Sequence, residues 1–492
     1  MTETNLDWEL LAPEFILAGC AFALVLLDLF WGRLGKEPLG YVAAVGAFAA
    51  VGVSLIWVDD TRNFGGLIDI NDYTTLFRVF FGLIGGFTCI ASARYVRQNL
   101  LHPGEYYALI LMTVIGATGM AASRELLTAY ISLELLSFSL YILTSYAKFD
   151  LRSNEGGMKY MLLGAFSSAF LLYGIGLMYG VTQTTHYAGI GEVLSGNTED
   201  IEFSMYLGLA LIIGGLGFKV AAVPFHMYAP DVYEGAPLPV TALISSISKA
   251  AAFALMLKLF VQAFIPLIDD WRYLIAGLAV ATMTLGNLVA IQQSNIKRLL
   301  AYSSNGQVGY MLVGIAALSP DSASALVLHL IGYVTTNLAA FVAIIVYYNW
   351  SGREEIRDFK GLAERAPYLA LSLTIALFSL AGMPLFAGFA TKFILFQAAA
   401  QEDLLWLAGI AAFFSFVSLY YYLVIIREMY LGQPDEKSRF PTPWLEYAAL
   451  TVLVAGVFFV GLYPKPLFNA VEDSTNSIFP PVSQDSGFVS EP

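Results

Sequence analysis

The sequence predicts an all-α polytopic membrane protein of about fourteen transmembrane helices, on three observations. First, 58% of its 492 residues are hydrophobic and 13% are charged, with a mean hydropathy of +0.68. Soluble domains carry about 25% charged residues. Second, mainly apolar runs long enough to span a bilayer, roughly 20 residues, recur along the whole chain. Third, lysine and arginine are concentrated in every second connection between those runs.

The runs lie near 11–31, 39–58, 73–95, 106–122, 125–145, 157–182, 204–225, 238–264, 273–291, 296–318, 323–349, 367–398, 404–430 and 444–462. They are too long for barrel strands and lack the polar–apolar alternation such strands need. The first run follows Glu3, Asp7 and Glu9 with no basic segment and no small-residue cleavage site, so it is expected to be retained as a helix.

The odd-numbered connections carry Arg33, Lys36, Arg97, Lys148, Arg152, Lys297, Arg298, Arg353, Arg357, Lys360, Arg365, Lys437 and Arg439. The even connections and both tails carry Arg62, Arg124, Arg272 and Lys465, a ratio of 13 to 4. This bias places the odd connections in the cytoplasm and both termini on the opposite side. The connection at 183–203 fits that side, with Glu192, Glu199, Asp200 and Glu202 and no base.

Spans 4–8 and 9–13 read as two sets of five, and because five is odd the second set enters from the opposite side. The fourth span of each set is interrupted by a proline, Pro224 or Pro384, and carries one lysine, Lys219 or Lys392. Two inverted five-helix repeats, each with a proline-broken helix, are a transporter architecture. The expected organisation is residues 1–105 for spans 1–3, 106–265 for the first half and 266–431 for the inverted second half. Residues 432–492 hold span 14 and a short C-terminal tail.

A charge at the centre of a spanning helix costs roughly 2.5–3.5 kcal/mol on insertion scales, so such charges point to function. Glu134, Lys219, Lys249 and Lys392 lie too far from their span ends to reach water easily. Lys159 opens span 6, close to the cytoplasmic surface, while Arg78, Lys258 and Asp28 lie near span ends. Long side chains there usually extend to the interface, the reading adopted for Arg78 and Lys258. A buried structural pair of Glu134 with Lys219 leaves Lys249 and Lys392 with no acid of equal depth. The excess positive charge is relieved if some lysines hold their proton only part of the time, and a lysine that does so is a proton carrier. Backbone carbonyls freed beside Pro224 and Pro384 are candidate acceptors for the ammonium groups. His226 follows Pro224 and is either a second protonatable group or a satisfied histidine at a helix end. His329 has no partner evident in the sequence, and His102 and His186 fall in connections.

Cys20 and Cys89 form no metal or disulfide pattern, and no histidine pair has metal spacing. A net charge of −13 disfavours nucleic acid. No phosphate-binding loop, dinucleotide fingerprint or nucleophilic triad is present, so no cofactor is expected in this chain.

"GFKVAAVPFHMYAPDVYEGAPLPVTALISSISKAAAF" (217–253), "KYMLLGAFSSAFLLYGIGLMYG" (159–180), "NIKRLLAYSSNGQVGYMLVG" (295–314) and "LAGMPLFAGFATKF" (380–393) carry a family resemblance over nearly the whole chain. The sequence resembles the antiporter-like subunit N family of respiratory complex I, the NADH-quinone oxidoreductase. The "YEGAP" stretch and the short tail favour N over the related M and L types, the L type having a long lateral helix. The resemblance implies proton translocation coupled to reduction of a quinone bound elsewhere in the complex. It also implies partners among the membrane-arm subunits, antiporter-like subunit M and small membrane subunits, and a bacterial plasma membrane or a thylakoid. By position, Glu134, Lys159, Lys219, Lys249 and Lys392 match the family's relay residues, with Glu134 and Lys219 as a switching pair. Span 10, the counterpart of span 5, has Asn305 and Gln307 but no acid, so the resemblance leaves Lys392 to find a partner on another helix or subunit. The competing readings are a subunit of a multisubunit cation/proton antiporter or membrane hydrogenase, a structural scaffold whose charges are relics, and a solitary secondary carrier for an organic solute, for which the sequence shows no polar pocket beyond the lysines.

Overall fold

The computed structural model describes residues 7–30, 37–196, 203–433 and 444–479. Arg33, Lys36, Glu199, Asp200, Glu202, Lys437 and Arg439 lie outside the described residues.

Helices dominate the described chain. The first are α1 (Ala12–Phe30), α2 (Pro38–Ser54), α3 (Asp72–Asn99), α4 (Pro103–Ala122), α5 (Leu126–Thr144) and α6 (Leu151–Thr182). Then come α7 (Tyr187–Gly196), α8 (Phe203–Val220), α9 (Tyr228–Gly235), α10 (Leu238–Leu243) and α11 (Lys249–Leu259). The second half of the chain forms α12 (Ile268–Ala290), α13 (Ile296–Ala316), α14 (Pro320–Ser351), α15 (Leu362–Arg365), α16 (Pro367–Ala381), α17 (Ala387–Gln401), α18 (Leu405–Leu431), α19 (Trp444–Leu462) and α20 (Lys465–Asn476).

Helix starts are fixed by the side chains that accept the first free N–H groups. Asn71 caps α3 through Thr74 N at 2.9 Å, and Asn295 caps α13 through Lys297 N at 2.9 Å. Ser319 and Ser322 form a reciprocal capping box at α14, which ends on Gly352 at φ +65°. Glu125 caps α5 through Thr128 N and Leu127 N. Burial pulls the Glu125 carboxyl up, but hydrogen bonds from Thr128, Thr185 and the α5 amides outweigh it and hold the group below its ordinary value.

Eleven of the described helical segments are long and apolar enough to cross a membrane. The difference from fourteen has physical causes. Residues 238–290 form a single apolar segment through two expected spans. In the helix at 296–316, the polar residues Ser303, Ser304, Asn305 and Gln307 lower the hydropathy. The span expected at 367–398 is broken into two 15-residue helices, α16 and α17. α14 is almost wholly buried at the centre, whereas in α1, α6, α18 and α19 less than half of the spanning window is buried.

Three elements were not expected from the sequence, and all sit at the end of the bundle that carries few basic residues. A short antiparallel hairpin pairs β1 (Arg62–Phe64) with β2 (Ile68–Ile70). α7 and α20 are short amphipathic helices, and α20 joins α14 through Ser324 and Thr475 hydroxyls 2.7 Å apart.

Two expectations need correction here. Lys258 does not extend to the interface: its side chain is fully buried, 3.0 Å from Asp69 of the hairpin, and donates to Ala122 O at 3.3 Å. Arg124 shares that carboxylate at 3.0 Å. Arg78 is likewise buried, bonded to Glu14 at 2.8 Å and to Leu10 O at 2.9 Å. Neither pairing is visible along the chain, because the acids lie far away in sequence, 64 residues from Arg78 in the case of Glu14.

Candidate proton-transfer site

The first broken helix is made of α8 and α9. α8 stops at Val220, Ala221 takes φ +60°, and Ala221 N and Ala222 N close the turn onto Phe218 O and Gly217 O. Val223 N donates to Thr282 Oγ1 at 3.0 Å, and Pro224 leads through a single tight turn into α9. The break therefore falls directly after Lys219, and its second half reaches Gly235, beyond the expected end of the span.

Lys219 is buried, and its ammonium donates to Ser137 Oγ at 2.8 Å and Tyr141 OH at 3.2 Å, both on α5. The Tyr141 ring centroid lies 5.6 Å from Nζ. Contrary to expectation, Lys219 does not bond to the carbonyls freed beside Pro224; hydroxyls of α5 take their place. Glu134 lies one turn before Ser137 on the same helix and is half-buried, accepting from Ser168 of α6. Among the described residues no ion pair closes between Glu134 and Lys219. Glu134 of α5 and the ammonium of Lys219 from α8 thus both lie along the polar strip of α5, with no salt bridge between them.

Lys249 follows a widened π-type turn (Ile244–Ser248) inside the helix that runs from α10 to α11. It is buried, donating to Ser304 Oγ at 2.6 Å and Asn305 Oδ1 at 3.2 Å on α13. Asn305, one of the two polar residues noted in span 10 in place of an acid, therefore serves Lys249 rather than Lys392. Asn337 of α14 donates to Ser245 Oγ at 2.7 Å and Ser246 Oγ at 3.1 Å, so the widened turn is itself lined with partners.

Lys392 lies on α17 after the second break, where Gly382 and Leu385 take φ +86° and +81°. Its ammonium donates to Leu380 O at 2.9 Å and Ser415 Oγ at 3.1 Å, and lies 4.7 Å from the Tyr310 ring centroid. Here the expected device is present: Leu380 O is a carbonyl released by the end of α16. Gln307 of α13 donates to the same oxygen at 3.0 Å. An apolar recess of about 320 Å³, lined by Phe389, Phe393, Phe416 and Ser415 among others, reaches Lys392 from the outer face of α17 and α18.

The other expected residues are placed differently. Lys159 is partly exposed at the basic end of the bundle, paired with Glu155 and Asp231 at 2.7 Å each. Asp231 also binds Arg298 at 2.9 Å, and Arg298 binds Glu234 at 2.8 Å, so Lys159 belongs to a surface charge network rather than to the buried strip. His226 is buried, with Nδ1 unpaired among the described residues and no bond to the lysines. His329, which lacked an evident partner, places Nδ1 2.9 Å from Thr391 Oγ1, the neighbour of Lys392. Sequence reasoning also missed Ser137, Tyr141, Ser304 and Asn337. For Ser137 and Tyr141 a signal existed: they follow Glu134 at three and seven residues, the spacing of one helix face.

The "YEGAP" stretch has a packing role. A Cβ on Gly235 would collide with the carbonyl of Arg152, and Gly156 packs against Gly235 from the facing helix. Gly235→Ala is expected to destabilise the protein by about 1–3 kcal/mol through overpacking, seen as a lower melting temperature of the purified protein.

The profile of the family "NADH:quinone oxidoreductase/Mrp antiporter, TM" matches residues 123–418. The NADH-quinone oxidoreductase subunit N of Moorella thermoacetica is 40% identical over 476 residues, 96% of this chain and 99% of that one. A chain of respiratory complex I from Thermus thermophilus has a TM-score of 0.79 at 29% identity, covering 94% of this chain and 99% of its own length. A chain of the Mrp complex from Dietzia sp. has a TM-score of 0.83 at 20% identity over 97% of this chain and 98% of that one, a likeness of fold.

Proposed function

Because the chain belongs to the NADH:quinone oxidoreductase/Mrp antiporter transmembrane family, we propose that its buried lysines form a proton-relay line through the membrane. The chain is a proton-translocating membrane-arm subunit of a complex I type quinone oxidoreductase. The carrying observation is the set of three buried ammonium groups, Lys219, Lys249 and Lys392, each held by hydroxyls, an amide oxygen or a backbone carbonyl and none by a carboxylate. Neutral acceptors hold a lysine without binding its proton as a carboxylate would, so the group can give the proton up.

In this reading Glu134 is the switch. Swinging it along α5 toward Lys219 closes the pair and favours the charged lysine; opening it releases the proton to the next acceptor. Lys249 takes it at the widened turn, and Lys392 receives it beside the Leu380 carbonyl. The recess over Lys392 then offers the route to a neighbouring membrane subunit of the M type. Lys159 and its acids collect protons at the basic end, which faces the cytoplasm, with both termini on the other side of a bacterial plasma membrane. Quinone and all redox groups belong to other subunits.

The test compares wild type with Lys392→Ala in inverted vesicles, measuring quinone reduction and proton uptake, with assembly followed on a native gel. The expected outcome is an assembled complex whose uptake per quinone falls. Unchanged uptake per quinone in the assembled variant would remove Lys392 from the relay.

A further inference from the structure

At the basic end of the bundle, a cavity of about 460 Å³ lies between α2, α3 and α19, lined by Glu37, Tyr41, Arg94, Arg97, Trp444 and Glu446 among others. It takes no part in the lysine line. Its charges are uneven in their pairing. Arg97 binds Glu37 at 2.8 Å. No direct ion pair joins Arg94 and Glu446 among the described residues, but the two opposite charges attract each other across the cavity, and Glu446 is only 4% exposed. A headgroup that carries both charges offers each of them a direct charge-assisted partner.

Below the cavity, α3 presents a partly exposed apolar stripe at helical spacing, Leu83, Phe87 and Ile90, running straight to Arg94 and Arg97. Trp444 is 74% exposed at the cavity mouth, where an indole suits the headgroup layer of a bilayer. An apolar track along the membrane ending in two arginines, an exposed indole and a buried acid matches a molecule with acyl chains, a phosphate and an ammonium group.

We propose that this pocket binds one phospholipid with a phosphoethanolamine headgroup, its phosphate on Arg94 and its ammonium on Glu446, with an acyl chain along Leu83, Phe87 and Ile90. Charge complementarity selects the headgroup. An anionic glycerol headgroup leaves Glu446 unpaired beside a phosphate, and inorganic phosphate satisfies neither Glu446 nor the stripe. The inference requires only that the chain spans a bilayer, not that its lysines relay protons, so either can fail alone.

The assembled complex containing this chain, purified in detergent, is incubated with a photoreactive phosphatidylethanolamine, and cross-linked peptides are mapped. Labelling is expected within residues 90–98 and 444–447. It should be displaced by dioleoyl-phosphatidylethanolamine, and not by phosphatidylglycerol or by inorganic phosphate. Arg94→Gln and Glu446→Gln are each expected to cut labelling there by about tenfold, the loss of one charge-assisted hydrogen bond. Displacement by phosphatidylglycerol to the same extent, displacement by phosphate, or labelling unchanged in both variants would overturn the proposal. If a variant fails to assemble, the competition on wild type still decides.

Discussion

Replacing Lys219 by alanine is expected to leave the complex assembled while proton uptake and coupled quinone reduction fall together, by about tenfold or more. Removing a positioned proton-transfer group costs roughly 10²–10⁴ at its own step. Assembly should hold because Ser137, the nearer of the two groups left behind, keeps its bond to Leu133 O. Lys219→Arg separates charge from proton transfer. Arginine keeps the positive charge and can still donate to Ser137 and Tyr141, but it does not release its proton in proteins. A relay therefore fails in Lys219→Arg as it does in Lys219→Ala, whereas a structural cation is rescued. Normal pumping in an assembled Lys219→Arg complex would sink the relay reading of this residue.

Lys249→Met should separate function from stability in the opposite sense to an ordinary core mutation. Methionine keeps much of the stem volume and removes the ammonium. Ser304 retains its bond to Ala301 O at 2.8 Å, so the orphaned group is one neutral acceptor, Asn305 Oδ1. That costs about 1–3 kcal/mol. Removing a buried charge with no carboxylate partner returns several kcal/mol. The melting temperature of the purified complex is expected to stay level or rise while proton uptake per quinone falls. A variant that melts earlier yet pumps normally would make Lys249 a structural charge.

Much of the site was legible because a charge in an apolar run is conspicuous whatever the fold. Lys219, Lys249 and Lys392 stand out against residues such as the Ala–Ala–Ala–Phe after Lys249, and all three are buried. The partners were less legible, since serine, threonine and tyrosine are common in spanning helices and only some face a lysine. Ser304 meets Lys249 across 55 residues and Ser137 meets Lys219 across 82. The separation of Glu134 from Lys219 is a matter of ångströms, which side-chain spacing along one helix cannot set. Lys258 shows the same limit: its position near a helix end reads as an interfacial cation, yet the hairpin brings Asp69, 189 residues earlier, over it.

By itself the sequence determined the membrane-spanning class, the positions of the two proline breaks and the three buried lysines Lys219, Lys249 and Lys392. Those follow from hydropathy, from the missing amide of proline and from the cost of isolated charge, all local properties. Tertiary structure alone decided which hydroxyl or carbonyl each ammonium meets, that Asn305 serves Lys249, and that Lys159 stands in a surface network. It also decided that Arg94 and Glu446 share a cavity. These depend on which helices lie side by side, and helix packing is fixed by the fit of whole faces rather than by any short stretch of chain.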